Sequence, residues 1–145
     1  VNGENSVVSK EMKCKEVIDV NTIISAFDII AALVVCDDVF ARLGVKVAYE
    51  NELAQAVALI VVKDTLIING RARFNVEVRG SPGNGQSTAD IAQELIKYHT
   101  YYQMLEIKNN SYNIRFLFDL TESKEPDELG RTMIALNVSV QVIEN

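Results

Sequence analysis

The chain has 145 residues, 48% of them apolar and 23% charged, which is enough for one domain with a single substantial core and too little for two. Twenty acidic residues against 14 basic ones give a net charge of −6, which argues against general duplex binding through phosphate neutralisation while leaving room for a local basic patch. Cys14 and Cys36 are too few and too far apart for a metal knuckle or a disulfide framework.

Residues 1–19 are polar and charged and read as a loose N-terminal lead-in to a single domain over residues 20–145. The apolar run from Ile23 to Cys36 contains Asp28 and falls short of the roughly 20 apolar residues of a membrane span. No signal-like segment is visible, so a soluble protein made in a reducing compartment is expected, with Cys36 packed in a helix as a small hydrophobe. Ile23, Phe27, Ile30 and Val34 recur at helical spacing between Asn21 and Leu43, Asn21 or Thr22 can cap the start, and Gly44 is placed as a stop. Ile24, Ile29, Leu33 and Val35 make the other faces of this helix apolar too, so cover on more than one side is expected, and Asp37 and Asp38 are positioned to break or turn it.

A short strand at "VKVAYE" is followed by two β-branched runs on either side of Asn69-Gly70, the pair that suits a type I′ turn, and these read as an antiparallel hairpin. Its second arm alternates, with Ala72, Phe74, Val76 and Val78 on one face and Arg71, Arg73, Asn75, Glu77 and Arg79 on the other. A helix is expected from Ser87 or Thr88 to about Tyr102, with Ile91, Leu95, Tyr98 and Tyr102 as its apolar stripe and Tyr101 outside. After "KNNS" a strand points Tyr112, Ile114, Phe116, Phe118 and Leu120 inward and Asn113, Arg115 and Asp119 outward. "TESKEPDELG" reads as a charged loop, and a last strand sets Ile134, Leu136, Val138, Val140 and Val142 against Met133, Ala135, Asn137, Ser139 and Gln141. The sum is an α+β domain, a mainly antiparallel β-sheet with two helices packed on one face.

Gly80 and Gly85 have the spacing of a phosphate-binding loop, and Asp119 ends an apolar run where a magnesium carboxylate could sit. The position for the phosphate-reaching lysine is Gln86, and the feeding strand alternates where a parallel-sheet strand would be apolar on both faces. Ser87 and Asp90 have a spacing related to a capping box, so the stretch reads as a capped helix start and no cofactor is expected. His99, the only histidine, has no cysteine or acid at ligand spacing and reads as a surface or groove-lining residue; no catalytic or metal site is expected. Arg71, Arg73, Arg79, Arg115 and Arg131 fall on or just before outward strand positions. Two readings stand: solvated ion pairing with Glu77 and Asp119, or a positive sheet face set against an acidic partner surface, with the acidic segment of Glu125, Asp127 and Glu128 suited to contact an arginine-bearing neighbour.

From Arg71 onward, "RARFNVEVRG", a small-residue loop, "ADIAQELIKYHTYY" and the closing "ELGRTMIALNVSVQVIEN" together resemble phage tail terminators and related head-to-tail neck proteins. In that family an arginine or similar residue opens a strand of the kind seen from Arg131 to Val142, and the first helix and hairpin are compatible, so the resemblance extends over residues 20–145. It implies a non-enzymatic virion protein, assembled in the host cytoplasm as a six-fold ring that caps the tail tube, meets the head-tail connector and lets DNA pass through its lumen without specific binding. A small acidic chaperone or adaptor that binds a partner segment, and an enzyme with a pocket between subunits using His99 or Asp119, remain as other classes.

Overall fold

The computed structural model describes residues 23–144; the lead-in over residues 1–19, Cys14 and the caps Asn21 and Thr22 lie outside the described residues. The first expected helix is two: α1, Ala26–Cys36, and α2, Asp38–Arg42. Ser25 begins α1 by a reciprocal capping box, its Oγ accepting from the Asp28 N–H while the Asp28 carboxylate accepts from the Ser25 N–H. Asp37 interrupts the run in an extended conformation (φ −120°), and its carboxylate accepts from the Val39 N–H and, at 2.7 Å, from the Tyr98 hydroxyl. Gly44, with φ of +68°, turns the chain out of α2. The cover on α1 is one-sided: Ile29, Ile30 and Leu33 are fully buried, but Val35 is 82% exposed and Cys36 is also exposed, on the outward face. Cys36 is therefore not the packed hydrophobe its neighbours suggested.

Six strands form one sheet in the order β1-β2-β3-β6-β5-β4, with β1 (Val45–Tyr49) parallel to β2 (Ala58–Val62) and every other pair antiparallel. The turn at Asn69-Gly70 has φ of 53° and 73°, and Ile68 and Arg71 exchange both backbone bonds across it, as a type I′ turn requires. The arms then part. β3 (Arg71–Arg79) pairs with β2 near Val76↔Val62, whereas residues 65–67 leave to bond the start of α1, Ala26 N–H to Thr65 and Ile67 N–H to Ile24.

The second helix is shorter than its pattern suggested: α3 runs Gly85–Ile96, capped by Asn84, whose side chain accepts from the Ser87 N–H. Ser87 instead accepts from the Ser81 N–H, and Asp90 accepts from the Gln86 amide, so the expected Ser87–Asp90 cap does not form. Beyond α3 the chain enters a strand that the helical stripe concealed, β4 (Tyr102–Ile107), which pairs with β5 (Asn110–Lys124) across Lys108 and Asn109, both at positive φ. Tyr98 packs half-buried against the core, but Tyr102 is 50% exposed on β4 and not part of a helix stripe. Thr121–Lys124 belong to β5 and not to the charged loop, and a bulge between Leu120 and Glu122 lets the pairing with β6 (Met133–Glu144) continue. Leu120, expected inward, sits at this bulge and is exposed.

The inward rows of β3, β5 and β6, among them Phe74, Val76, Ile114, Phe116, Leu136 and Val138, meet Ile29, Leu33, Ile91 and Leu95 of the helices in one apolar core. The fold is α+β with a mostly antiparallel sheet and the helices on one face. The other face is covered over β1 and β2 by residues 50–57, where Leu53 and Val57 pack on Ala48, Leu59 and Val61. β2 is buried at all five positions for this reason, which explains its unbroken apolar run.

Candidate protein interface on the open sheet face

Among the described residues no element covers the rest of that second face. Strand register builds it: Arg71 lies across from Gln141, and Gln141 from Arg115; Arg73 lies across from Ser139, and Ser139 from Leu117; Tyr102 is opposite Arg115 on the edge strand. Since alternate residues share a face, Arg71, Arg73 and Arg115 converge around Gln141, Ser139 and Leu117. They line a groove of about 470 Å³ with no acidic side chain in its wall. None of the three arginines has a carboxylate partner among the described residues. By contrast Lys63, Lys97, Lys108 and Lys124 each lie within 4 Å of an acid.

Arg79 and Arg131 belong to a separate arrangement at the other end of the sheet. Arg79 is pinned between Glu77 and Asp127, 2.7 Å from each, and Lys124 bonds the second oxygen of Glu77 at 2.9 Å. Arg131 is 1% exposed, so it is not the outward contact residue its position before a strand suggested. Its Nε donates to Asp127 at 2.8 Å, Nη1 donates to the Gln55 and Val57 carbonyls, and Nη2 donates to the Leu53 carbonyl at 2.6 Å. The guanidinium thereby clamps residues 53–57 over β2. Asp127 is enclosed as well and is a structural acid, not a free contact residue. Burial alone would raise its pKa, but bonds from the Arg131 backbone and side chain, from Arg79 and from the Leu129 N–H hold it down at about 2. Glu77 is likewise depressed: burial acts against this, and Lys124 and Arg79 outweigh it. Of the acidic residues singled out, Glu125 and Glu128 remain exposed, and Asp119 is exposed with no ion-pair partner among the described residues.

No protein-family model matches the chain, and no curated protein does. A solved structure shares the fold, with a TM-score of 0.51 at 17% identity over 81% of this chain and 94% of that one. At that identity the likeness speaks for the fold alone.

The glycine-rich turn is occupied by its own structure. The Gly80 N–H donates to the Thr132 carbonyl and to Thr88 Oγ1, the Ser81 N–H to Ser87 Oγ and the Gly83 N–H to the Gly130 carbonyl. A phosphate cradle needs such donors free. His99 Nδ1 accepts from the Phe118 N–H at 2.9 Å, a contact on the β4 side of β5 beyond the end of the Tyr102↔Arg115 pairing. Among the described residues no three His, Cys, Asp or Glu side chains are placed to hold a metal ion, and no helix is long and apolar enough to cross a membrane.

Beyond the arginines, the groove residues Leu117, Ser139 and Gln141 were not singled out by the sequence as contact residues. Outward alternation already put Ser139 and Gln141 on the arginine face. Only the neighbour order of β3, β6, β5 and β4 brings the rows together, and the Lys108-Asn109 turn was the signal for β4.

Proposed function

We propose that the protein is a structural subunit of a phage tail, a tail terminator or neck-ring component that caps the tail tube and meets the head-tail connector. It acts without catalysis, as a ring of about six copies, in the virion after assembly in the host cytoplasm. The reading rests on the resemblance of residues 71–145 to that family, and the observation that carries it is the arginine groove: three cations with no carboxylate partner among the described residues, on a sheet face that no described element covers, in a chain with an excess of acid. Arginines left free in this way suit an acidic protein surface, where charge complementarity fixes register and excludes wrong partners more than it adds affinity. DNA passing through the ring lumen is not specifically held, in keeping with the net negative charge. The direct test is a phage strain lacking the protein, whose tails should reach irregular lengths and fail to join heads. Normal lengths and normal joining would remove the assignment. Native mass spectrometry should give an assembly near six times the 16.1 kDa chain. A concentration-independent dimer would favour the second reading, an acidic adaptor, for which the exposed edge-strand residues Tyr102 and Met104 offer a contact row.

A further inference from the structure

We infer that the arginine groove of one copy receives the acidic tip of the β5–β6 hairpin of a second copy, Glu122, Glu125 and Glu128, in a head-to-tail contact. The inference rests on the ring reading above and names the surfaces that would build it.

Two complementary patches lie apart on one molecule, with no ion pair between them among the described residues. The groove is centred on Ser139 and Gln141 of β6; Glu122 pairs with Ala135, four to six residues away along the same strand, and the loop of Glu125 and Glu128 begins beyond Lys124↔Met133, six to eight residues away. At about 3.4 Å per residue that is about 14–20 Å for Glu122 and about 20–27 Å to the start of the loop, roughly two to three Debye lengths at physiological salt. The groove arginines therefore have no ion-pair partner among the described residues, Asp119 of the same outward row included. At the tip, Asp127 is used up by Arg79 and Arg131, whereas Glu122 is 61% exposed, only 3.9 Å from Lys124, and Glu125 and Glu128 have no ion-pair partner among the described residues. The tip is held in shape by that Asp127 network, which also takes the Leu129 N–H, so a second copy meets a preformed surface. Leu129 stands 39% exposed beside Glu128 and supplies an apolar contact for Leu117 in the groove. Because the two patches differ, the contact is heterologous. Repeated, it gives a ring where the rotation closes, and a filament where it does not.

Charge reversal tests the pairing. The groove variant carries Arg73→Glu and Arg115→Glu, the tip variant carries Glu122→Arg, Glu125→Arg and Glu128→Arg, and a third chain carries all five changes. Native mass spectrometry at several concentrations should show the wild type as a multimer and each of the first two variants as a 16.1 kDa monomer with an unchanged circular dichroism spectrum. Mixing groove and tip variants should restore even-numbered rings, because each then complements the other at both ends. The five-fold variant should assemble alone. If the groove variant misfolds, Arg73→Gln with Arg115→Gln should still lower the assembled fraction at least ten-fold. Reversals that leave the mass unchanged would place the subunit contact elsewhere and overturn the inference while the ring reading stands. Loss of assembly without rescue in the mixture would show that the two patches do not meet. A wild type that is monomeric at every concentration would overturn both. Unchanged mass with lost binding of a single-stranded DNA oligonucleotide would make the groove a nucleic-acid site.

Discussion

Replacing Arg131 with Met keeps the length of the side chain and removes its charge and all of its donors. Four side-chain bonds disappear: one to Asp127 and three to the carbonyls of Leu53, Gln55 and Val57. At about 1.5 kcal/mol each, the low end for bonds to a charged group, the sum is about 6 kcal/mol. Two effects reduce it. Asp127 keeps Arg79 and two backbone donors, and the carbonyls of the 50–57 segment can be rewetted once the segment lifts. The expected loss is about 3–4 kcal/mol, in the range for breaking a buried ion pair and a large share of the roughly 5–15 kcal/mol of a typical domain. Urea unfolding followed by circular dichroism measures it, and amide hydrogen exchange should report faster opening at Leu59 and Val61, which this segment covers. Arg131→Lys, which keeps the charge and loses the fork, should fall between the two. A loss below about 1 kcal/mol, with exchange at Leu59 and Val61 unchanged, would refute the clamp.

Asp127 titrates near 2 in the folded chain against an ordinary value of 3.8, so its contribution is complete above about pH 4 and is lost as the pH falls towards 2; Glu77 acts in the same direction. Acid unfolding of Asp127→Asn should accordingly start from a lower stability and fall less steeply through that window than the wild type. Truncating Phe116, fully buried and stacked on Phe118 with ring centroids 5.6 Å apart, to Ala should cost about 3–5 kcal/mol in the same urea assay. A side chain at Gly80 would collide with Thr88, its Cβ lying 2.5 Å from the Thr88 backbone nitrogen, whereas one at Gly85 would rest 3.6 Å from Thr132 Oγ1. Gly80→Ala should therefore destabilise by about 1–3 kcal/mol and Gly85→Ala by under about 0.5 kcal/mol, and equal thermal midpoints would contradict the packing.

Period-two alternation made β3, β5 and β6 legible, including the inward row of Phe74, Phe116 and Leu136 and the arginine-bearing outward row. Alternation reports one face against another and is silent on neighbours, so the central place of β6 and the convergence of Arg71, Arg73 and Arg115 came only with the pairing register. β4 was hidden because the spacing of Leu95, Tyr98 and Tyr102 fits a helix, and the chain leaves that helix at Ile96. Arg131 misled for a related reason. A charged residue before a strand reads as surface, and its burial depends on carbonyls more than 70 positions earlier in the chain, which no local pattern encodes.

β6 comes last among the described strands and yet lies in the middle of the sheet, bonded to β3 on one side and β5 on the other. Until residues 133–144 have been made, no strand is present to join the β1–β2–β3 and β4–β5 parts of the sheet. Their pairing partners are as distant as Arg71 and Gln141, so closure is a long-range, slow event. A product broken off before Met133 would show unjoined apolar ribbons, the sort of species that chaperones and proteases intercept. Ser139 and Gln141 of the groove ride on the same strand. The groove comes into being in the step that finishes the fold, and a neighbouring subunit docking there, as proposed above, would select against unfinished chains without any separate means of inspection.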